Sequence, residues 1–166
     1  MILSPLQSEK TITGQKKPYV TQGFGENKIF YMKPENGGTA GHPGYDFRAK
    51  PGTPLFSPIE GKVLVKDSKD KGYGLHVIIS NERLRVILAH LSGVACHTDQ
   101  IIRLGEPVGL TGNSGTSTAA HLHMEVLKMK GSVPEDHRDE MKGRFDFLPY
   151  MICWSGTVLQ DELIYS

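Results

Sequence analysis

The chain has 166 residues, the size of one ordinary domain, which excludes a large multidomain machine. Nineteen Lys plus Arg against eighteen Asp plus Glu leave a formal charge of +1, so no bulk field draws it to nucleic acid or anionic lipid. Apolar residues at 38% suffice for one core, while 19 Gly and 10 Pro argue against a helical chain and for turns and short strands.

Residues 1–17 read as a polar leader: an SEKT stretch stands where a secretory signal needs an apolar run, and no basic residue precedes Ile2-Leu3. The longest apolar runs, at 77–79 and 86–89, fall far short of the roughly 20 residues of a membrane span. Cys96 and Cys153 are too few for a disulfide framework or a multi-Cys zinc site; two buried thiols are expected, with one bridge left open. The first strand-like piece is 19–22, ended by Gly23-Phe24-Gly25. Residues 26–41, with Pro34, Asn36, Gly37 and Gly38 and no period, read as a long surface loop of the kind that serves function. From Thr53 onward, β-like runs alternate with glycine-bearing turns at 53–57, 61–66, 75–80, 83–90, 106–110 and 121–127. Asn81-Glu82 reads as a tight hairpin connection. Residues 136–142 form at most a short helix within a charged surface excursion over 128–146, after which 147–154 packs back. The expectation is a mainly β, small antiparallel domain spanning 18–166 with few short helices.

Four of the seven histidines fall in three local patterns. In His42-Pro43-Gly44-Tyr45-Asp46, an imidazole and a carboxylate four apart converge on one cation either along a strand or around the Pro-Gly bend. In His121-Leu122-His123-Met124-Glu125-Val126, alternation puts both imidazoles and Glu125 on one face and the apolar side chains on the other. Two inward histidines without a partner would waste burial, so this strand points to a site. His90 ends the 83–90 run and shares parity with Leu84, Val86 and Leu88; an unbroken strand turns it towards the interior. Three segments each delivering His suit a mononuclear site with three protein ligands and an open position. A His2Asp set leaves Zn2+ with residual positive charge and room for water of lowered pKa, with two further imidazoles to move protons. His76, His97 and His137 read as surface or loop residues.

At this point the residues resemble a known family. The stretch from about residue 19 to 126 is similar to the catalytic domain of the lysostaphin-like, LytM-type zinc metallopeptidases, which cut peptide cross-links or bridges in bacterial peptidoglycan. The matching text is Gln22-Gly23-Phe24-Gly25, Gly41-His42-Pro43-Gly44-Tyr45-Asp46-Phe47, Pro51-Gly52-Thr53-Pro54-Leu55, Glu60-Gly61-Lys62-Val63 and Gly72-Tyr73-Gly74. It continues through Ala89-His90-Leu91-Ser92, Gly105-Glu106-Pro107-Val108-Gly109 and Gly112-Asn113-Ser114-Gly115 to His121-Leu122-His123. Separate motifs in family order make the match specific. The resemblance implies that His42, Asp46 and His123 bind Zn2+ and that His90 and His121 are the catalytic histidines. It further implies an antiparallel fold with a narrow groove, walled by loops near 26–40, 66–73, 94–103 and 128–145. Tyr31, Tyr45 and Asn113 stand as candidates for substrate contact, the tyrosines for oxyanion stabilisation. Leu88, two before His90, and Thr118-Ala119-Ala120 before the His-x-His depart from many relatives.

The expected function is therefore a zinc-dependent endopeptidase acting on peptidoglycan peptide as a monomer, without nucleic-acid or membrane partners. With no secretory signal visible, a phage lysin or virion-associated wall hydrolase, made in the cytoplasm and acting on the wall after release, fits, as does a bacterial fragment lacking its signal. The alternatives are a non-catalytic module of the same fold that binds wall peptide or activates another hydrolase, and a serine hydrolase using Ser114. The serine reading is poor because no Gly-x-Ser-x-Gly elbow surrounds it. Glu125 is left as either an acceptor behind a ligand or a solvated side chain.

Overall fold

In the computed structural model, which describes residues 2–7, 18–135 and 138–154, the His-x-His segment lies on an interior strand of the main sheet. Thirteen strands occur among the described residues. They are β1 (Ile2–Leu3), β2 (Val20–Gln22), β3 (Tyr45–Arg48), β4 (Pro54–Phe56), β5 (Gly61–Asp67), β6 (Leu75–Ser80) and β7 (Leu84–Ala89). There follow β8 (Leu91–Val94), β9 (Ile101–Ile102), β10 (Pro107–Thr111), β11 (His121–Lys130), β12 (Val133–Pro134) and β13 (Met151–Ile152). The main sheet runs β2-β3-β11-β7-β6-β5-β9, with β12 added to β11; a second sheet runs β4-β10-β8. All pairings in these two sheets are antiparallel, in keeping with the mainly β expectation.

Alternation explains why β11 lies inside the sheet, between β3 and β7. Leu122, Met124 and Val126 are fully buried on one face, opposite Phe47 on β3 and Leu88 and Val86 on β7, and join Val63, Val77, Ile79, Leu55 and Phe147 in one core. Fully burying an aliphatic or aromatic side chain of this size stabilises by about 1.5–3 kcal/mol, so this face holds the strand in register. Its other face is thereby committed to carrying His121, His123 and Glu125. The β6–β7 hairpin is closed by Asn81 at the connection expected there: its Oδ1 accepts from the N–H groups of Arg83 and Leu84, and its own N–H donates to the Leu84 carbonyl. A side chain thus does what glycine does in other tight turns.

Residues 2–6, expected within a polar leader, are instead packed. β1 pairs in parallel with β13, Ile2 and Leu6 are buried, Leu6 bridges to Leu55, and Trp154 Nε1 donates to the Ser4 carbonyl. Three apolar side chains, Ile2, Leu3 and Leu6, in a polar stretch were the available signal. The rest of that leader, residues 8–17, lies outside the described residues. The 26–41 loop contains one short helix, α1 (Lys28–Tyr31), and a 3-10 turn at Pro34–Asn36. Where a helix over 136–142 was considered, residues 138–142 form turns and the remainder, with His137, lies outside the described residues. Segment 138–144 straps onto the first loop: the Ala40 N–H donates to the Glu140 carbonyl and Lys142 Nζ to the Gly37 carbonyl.

Candidate metal centre and its histidines

Asp46 on β3 sits directly opposite His123 on β11, and directly opposed residues share a face of the sheet. His42 reaches the same point around the Pro43-Gly44 bend, which lies so close against β11 that a Cβ on Gly44 would stand 2.1 Å from the Met124 carbonyl oxygen. Three donor atoms therefore converge. His42 Nε2 lies 3.3 Å from Asp46 Oδ1, His123 Nδ1 lies 2.8 Å from it, and the two nitrogens are 3.1 Å apart. Nitrogen and oxygen ligands about 2.0–2.1 Å from a tetrahedral cation stand about 3.3 Å from one another, so the separations and the donor chemistry fit a small divalent ion such as zinc.

His90 and His121 complete the cluster, their rings 4.8 Å apart and the His90 ring 5.8 Å from that of His123. The route by which His90 arrives corrects the expectation from parity. β7 stops at Ala89, and His90 adopts a left-handed backbone with φ 61°, which swings its ring away from the Leu88 side and onto the His123 face. The turn is held from both sides, since the His90 N–H donates to the Tyr73 carbonyl and Nδ1 meets the Ser114 carbonyl at 2.8 Å. These two loops touch through glycine: a Cβ on Gly115 (φ 73°) would lie 2.3 Å from Gly74 N.

Each of the four imidazoles has an oxygen acceptor on the nitrogen that faces away from the cluster. His42 Nδ1 lies 3.1 Å from the Gly23 carbonyl, His121 Nδ1 2.7 Å from that of Ala119, His90 Nδ1 on that of Ser114, and His123 Nε2 3.0 Å from Glu125 Oε1. A carbonyl or carboxylate only accepts, so each outer nitrogen carries a proton, and the inner nitrogens of His42, His90 and His121 can present lone pairs, whereas His123 Nδ1, 2.8 Å from Asp46 Oδ1, donates to that carboxylate until a metal takes the proton's place. Burial pulls the His90 imidazolium down to about 4, against the Ser114 hydrogen bond, so the ring is neutral at pH 7. Burial also works against the charge of Asp46, but hydrogen bonds from His123 and His42 outweigh it and hold the carboxyl far below the usual range.

Behind His123, Glu125 is 0% exposed. Besides His123 it accepts from the Tyr73 hydroxyl through Oε1 and from Arg144 Nε through Oε2. Burial opposes its ionisation, yet the hydrogen bond and charge of His123 and the charge of Arg144 keep its pKa lowered. Glu125 is thus an acceptor behind His123, and the solvated reading falls away. Tyr73, Arg144 and Ser117, whose Oγ lies 3.2 Å from His121 Nδ1, were not found from the sequence; only the Gly72-Tyr73-Gly74 motif hinted at the first.

The remaining candidates separate. Tyr31 lies with its ring 5.2 Å from that of His42, and burial, with the Asp46 charge, pushes its hydroxyl up to about 12, leaving a phenol that donates. Tyr45 is instead on the core face, stacked near Phe47 with its hydroxyl on Asp146 Oδ1, because it occupies the opposite parity to Asp46. Asn113 Oδ1 accepts from Ser117 Oγ in the loop leading to His121. Ser114 Oγ donates to the Leu91 carbonyl and accepts from the Leu75 N–H, a structural engagement that removes the nucleophile reading. His76 is buried on β6 beside Tyr73, not on the surface, whereas His97 is exposed. Residues 94–103 do not wall the cluster: the Ala95 N–H donates to the Val108 carbonyl on β10, and 98–102, which include β9, run along β5 at the opposite end of the main sheet from β3. The first loop is less polar than its composition suggested, with Ile29, Phe30 and Met32 all exposed.

The antiparallel β domain thus carries a His-Asp-His donor set able to hold a metal ion, with two further histidines beside it. The family model described as peptidase family M23 matches residues 40–135, more than half of the chain, and the chain belongs to that family. The peptidoglycan DD-endopeptidase ShyB of Vibrio cholerae serotype O1 is 31% identical over 108 residues, which are 65% of this chain and 25% of that protein. A zinc containing peptidase from Vibrio cholerae has a similar structure, with TM-score 0.61 and 26% identity, over 81% of this chain and 39% of that one. The catalytic domain of the antimicrobial peptidase lysostaphin from Staphylococcus simulans shares the fold, with TM-score 0.64 and 24% identity, over 86% and 98% of the two chains. The chain spans about a quarter of the length of the curated relatives it matches.

Proposed function

We propose that this domain is a zinc-dependent endopeptidase that hydrolyses peptide bonds in bacterial peptidoglycan. The observation that carries the reading is the convergence of His42 Nε2, Asp46 Oδ1 and His123 Nδ1 on one point, with two tautomer-fixed histidines beside it. His42, Asp46 and His123 are the proposed ligands. Zinc bound there supplies Lewis acidity towards the scissile carbonyl and lowers the pKa of water towards neutrality. His90, neutral and with its inner nitrogen free, would accept the proton lost by the attacking water, and the His90–His121 pair, its rings 4.8 Å apart, would return that proton to the leaving amine from the His121 side, where Nε2 lies 3.5 Å from Asp46 Oδ1. The Tyr31 phenol beside His42 is placed to donate to the oxygen on which charge develops. Similarity to the peptidoglycan DD-endopeptidase of Vibrio cholerae supports wall peptide as the substrate class.

We read its setting as a phage lysin or virion-associated wall hydrolase acting as a monomer, with sedimentation of the purified protein testing the latter. The decisive experiment digests purified peptidoglycan with the zinc-loaded protein and identifies fragments by mass spectrometry. New amino termini within cross-links or bridges are expected. New reducing sugar ends with intact peptides, or stems released whole from muramic acid, overturn the endopeptidase reading, and zinc content without turnover on any wall favours the binding-module alternative.

A further inference from the structure

The sheet places a second charged residue beside the cluster that the chemistry so far has not used. Arg48, the last residue of β3, is directly opposite His121 on β11, two positions along from the Asp46–His123 pair. Opposed residues in an antiparallel pair have their Cβ atoms about 4.5–5.5 Å apart on the same face. His121 is therefore flanked by His90 on its β7 side and by Arg48 on its β3 side. The Arg48 backbone is fixed, its N–H donating to the Tyr19 carbonyl, while the side chain is exposed. None of the ion pairs among the described residues uses its guanidinium. Two other cations near the cluster are engaged, Arg144 by Glu125 and Lys142 by the Gly37 carbonyl.

An unpaired guanidinium next to a proton-transferring histidine selects for an anion on the part of the substrate nearest that histidine. If His121 serves the leaving amine, the nearest substrate group is the α-carboxyl of the residue whose nitrogen leaves, two bonds from that nitrogen. We propose that Arg48 is a specificity-determining residue that pairs with a free carboxylate on the leaving residue. The inference rests on the peptidase reading of the site and narrows its substrate class. The favoured bond joins an acyl group to an amino group whose own carbon bears a free carboxylate, as at a chain end or where a diamino dicarboxylic acid is cross-linked. An internal glycine bridge, whose carboxyls are all amides, offers Arg48 nothing.

The test uses the zinc-loaded full chain and pairs of synthetic wall peptides identical except that the leaving residue ends in a carboxylate or a carboxamide. One pair is linear and one cross-linked, which separates a chain-terminal carboxylate from one beside a cross-link. The wild-type protein is expected to favour the carboxylate by about tenfold or more in kcat/KM, the worth of one good charge-assisted pair. Arg48→Gln is expected to collapse that ratio to within about twofold, and Arg48→Lys to retain part of it. Attraction of the carboxylate to zinc is common to both proteins, so only the change in ratio reports Arg48. A wild-type ratio near one, or a ratio unchanged in a folded, zinc-replete Arg48→Gln protein, overturns the inference. If neither peptide is cut, the peptidase reading fails, and the ratio of calorimetric Kd values for the same peptides judges the Arg48 assignment by the same criteria.

Discussion

Arg144 and Glu125 form an ion pair behind His123, the guanidinium on one carboxylate oxygen and the His123 imidazole on the other. Arg144 lies beyond the residues 40–135 matched by the family model, so the strap that carries it adds a support to the metal centre from outside that stretch. Removing Arg144 alone strands a buried carboxylate, at a cost of about 3–5 kcal/mol, whereas removing both charges with apolar replacements costs much less. Arg144→Met is therefore expected to unfold at lower urea than wild type, and Glu125→Met/Arg144→Met to recover much of the loss. Both variants should bind zinc about 10- to 100-fold more weakly, because the hydrogen bond that orients His123 is disturbed or gone. Chelator competition measures this, and unchanged affinity in the double variant would exclude Glu125 as the support of His123.

Purified protein should hold about one zinc per chain. Asp46→Ala removes the only anionic member of the donor set and should abolish tight binding. Elemental analysis checks both statements, and undiminished zinc in the variant would move the site elsewhere.

On the proposed roles, His90 and His121 variants keep zinc but lose about 100-fold or more in rate. At His90 the backbone matters, since φ is 61° and most side chains resist that conformation. His90→Asn tolerates the left-handed backbone and so isolates loss of the imidazole; His121→Ala suffices on a strand. Loss of metal from either protein reverses the assignment of ligand and base.

The metal-free protein has a defined pH dependence. Burial disfavours the His123 cation, but hydrogen bonds to Asp46 and Glu125 prevail and raise it to about 9, from an ordinary value near 6.5. Between those values the folded chain holds a proton that the unfolded chain lacks, so this contribution is full below about pH 6.5 and lost as pH rises through 9. His90, lowered to about 4, acts oppositely: its contribution is full above about 6.5 and lost as pH falls towards 4. Urea unfolding of chelator-treated protein should show stability falling on both sides of that region. Zinc binding at pH 7–8 must displace the His123 proton, so calorimetry in buffers of different ionisation enthalpy should detect about one proton released per zinc.

How far the sequence could be read follows from which signals were local. The His121–Glu125 alternation was legible because a strand repeats every two residues and the apolar partners Leu122, Met124 and Val126 fix its facing. His90 was found as a residue, but its direction was not, because one left-handed position resets the parity that the argument from Leu84, Val86 and Leu88 assumed. β3 was not marked as a strand, since its four residues are too few to show alternation, and Tyr45 stayed a candidate for that reason. The Glu125–Arg144 and Glu125–Tyr73 contacts join residues 19 and 52 apart, and no spacing rule reaches so far.

The Asp46–His123 pair joins residues 77 apart in the chain, and that separation governs when during folding the metal centre can exist. Closing so long a loop costs entropy before the β3–β11 contacts repay it, which makes such pairings slow steps. The ligands meet only once β11 has paired with β3 across the seven strands that lie between them in sequence, so metal cannot nucleate the chain as it does in a short zinc finger. Zinc should leave the refolding rate nearly unchanged while slowing unfolding, so its stabilisation should appear in the unfolding limb of the denaturant dependence. Protection conferred by zinc is then kinetic, lengthening the lifetime of the folded chain.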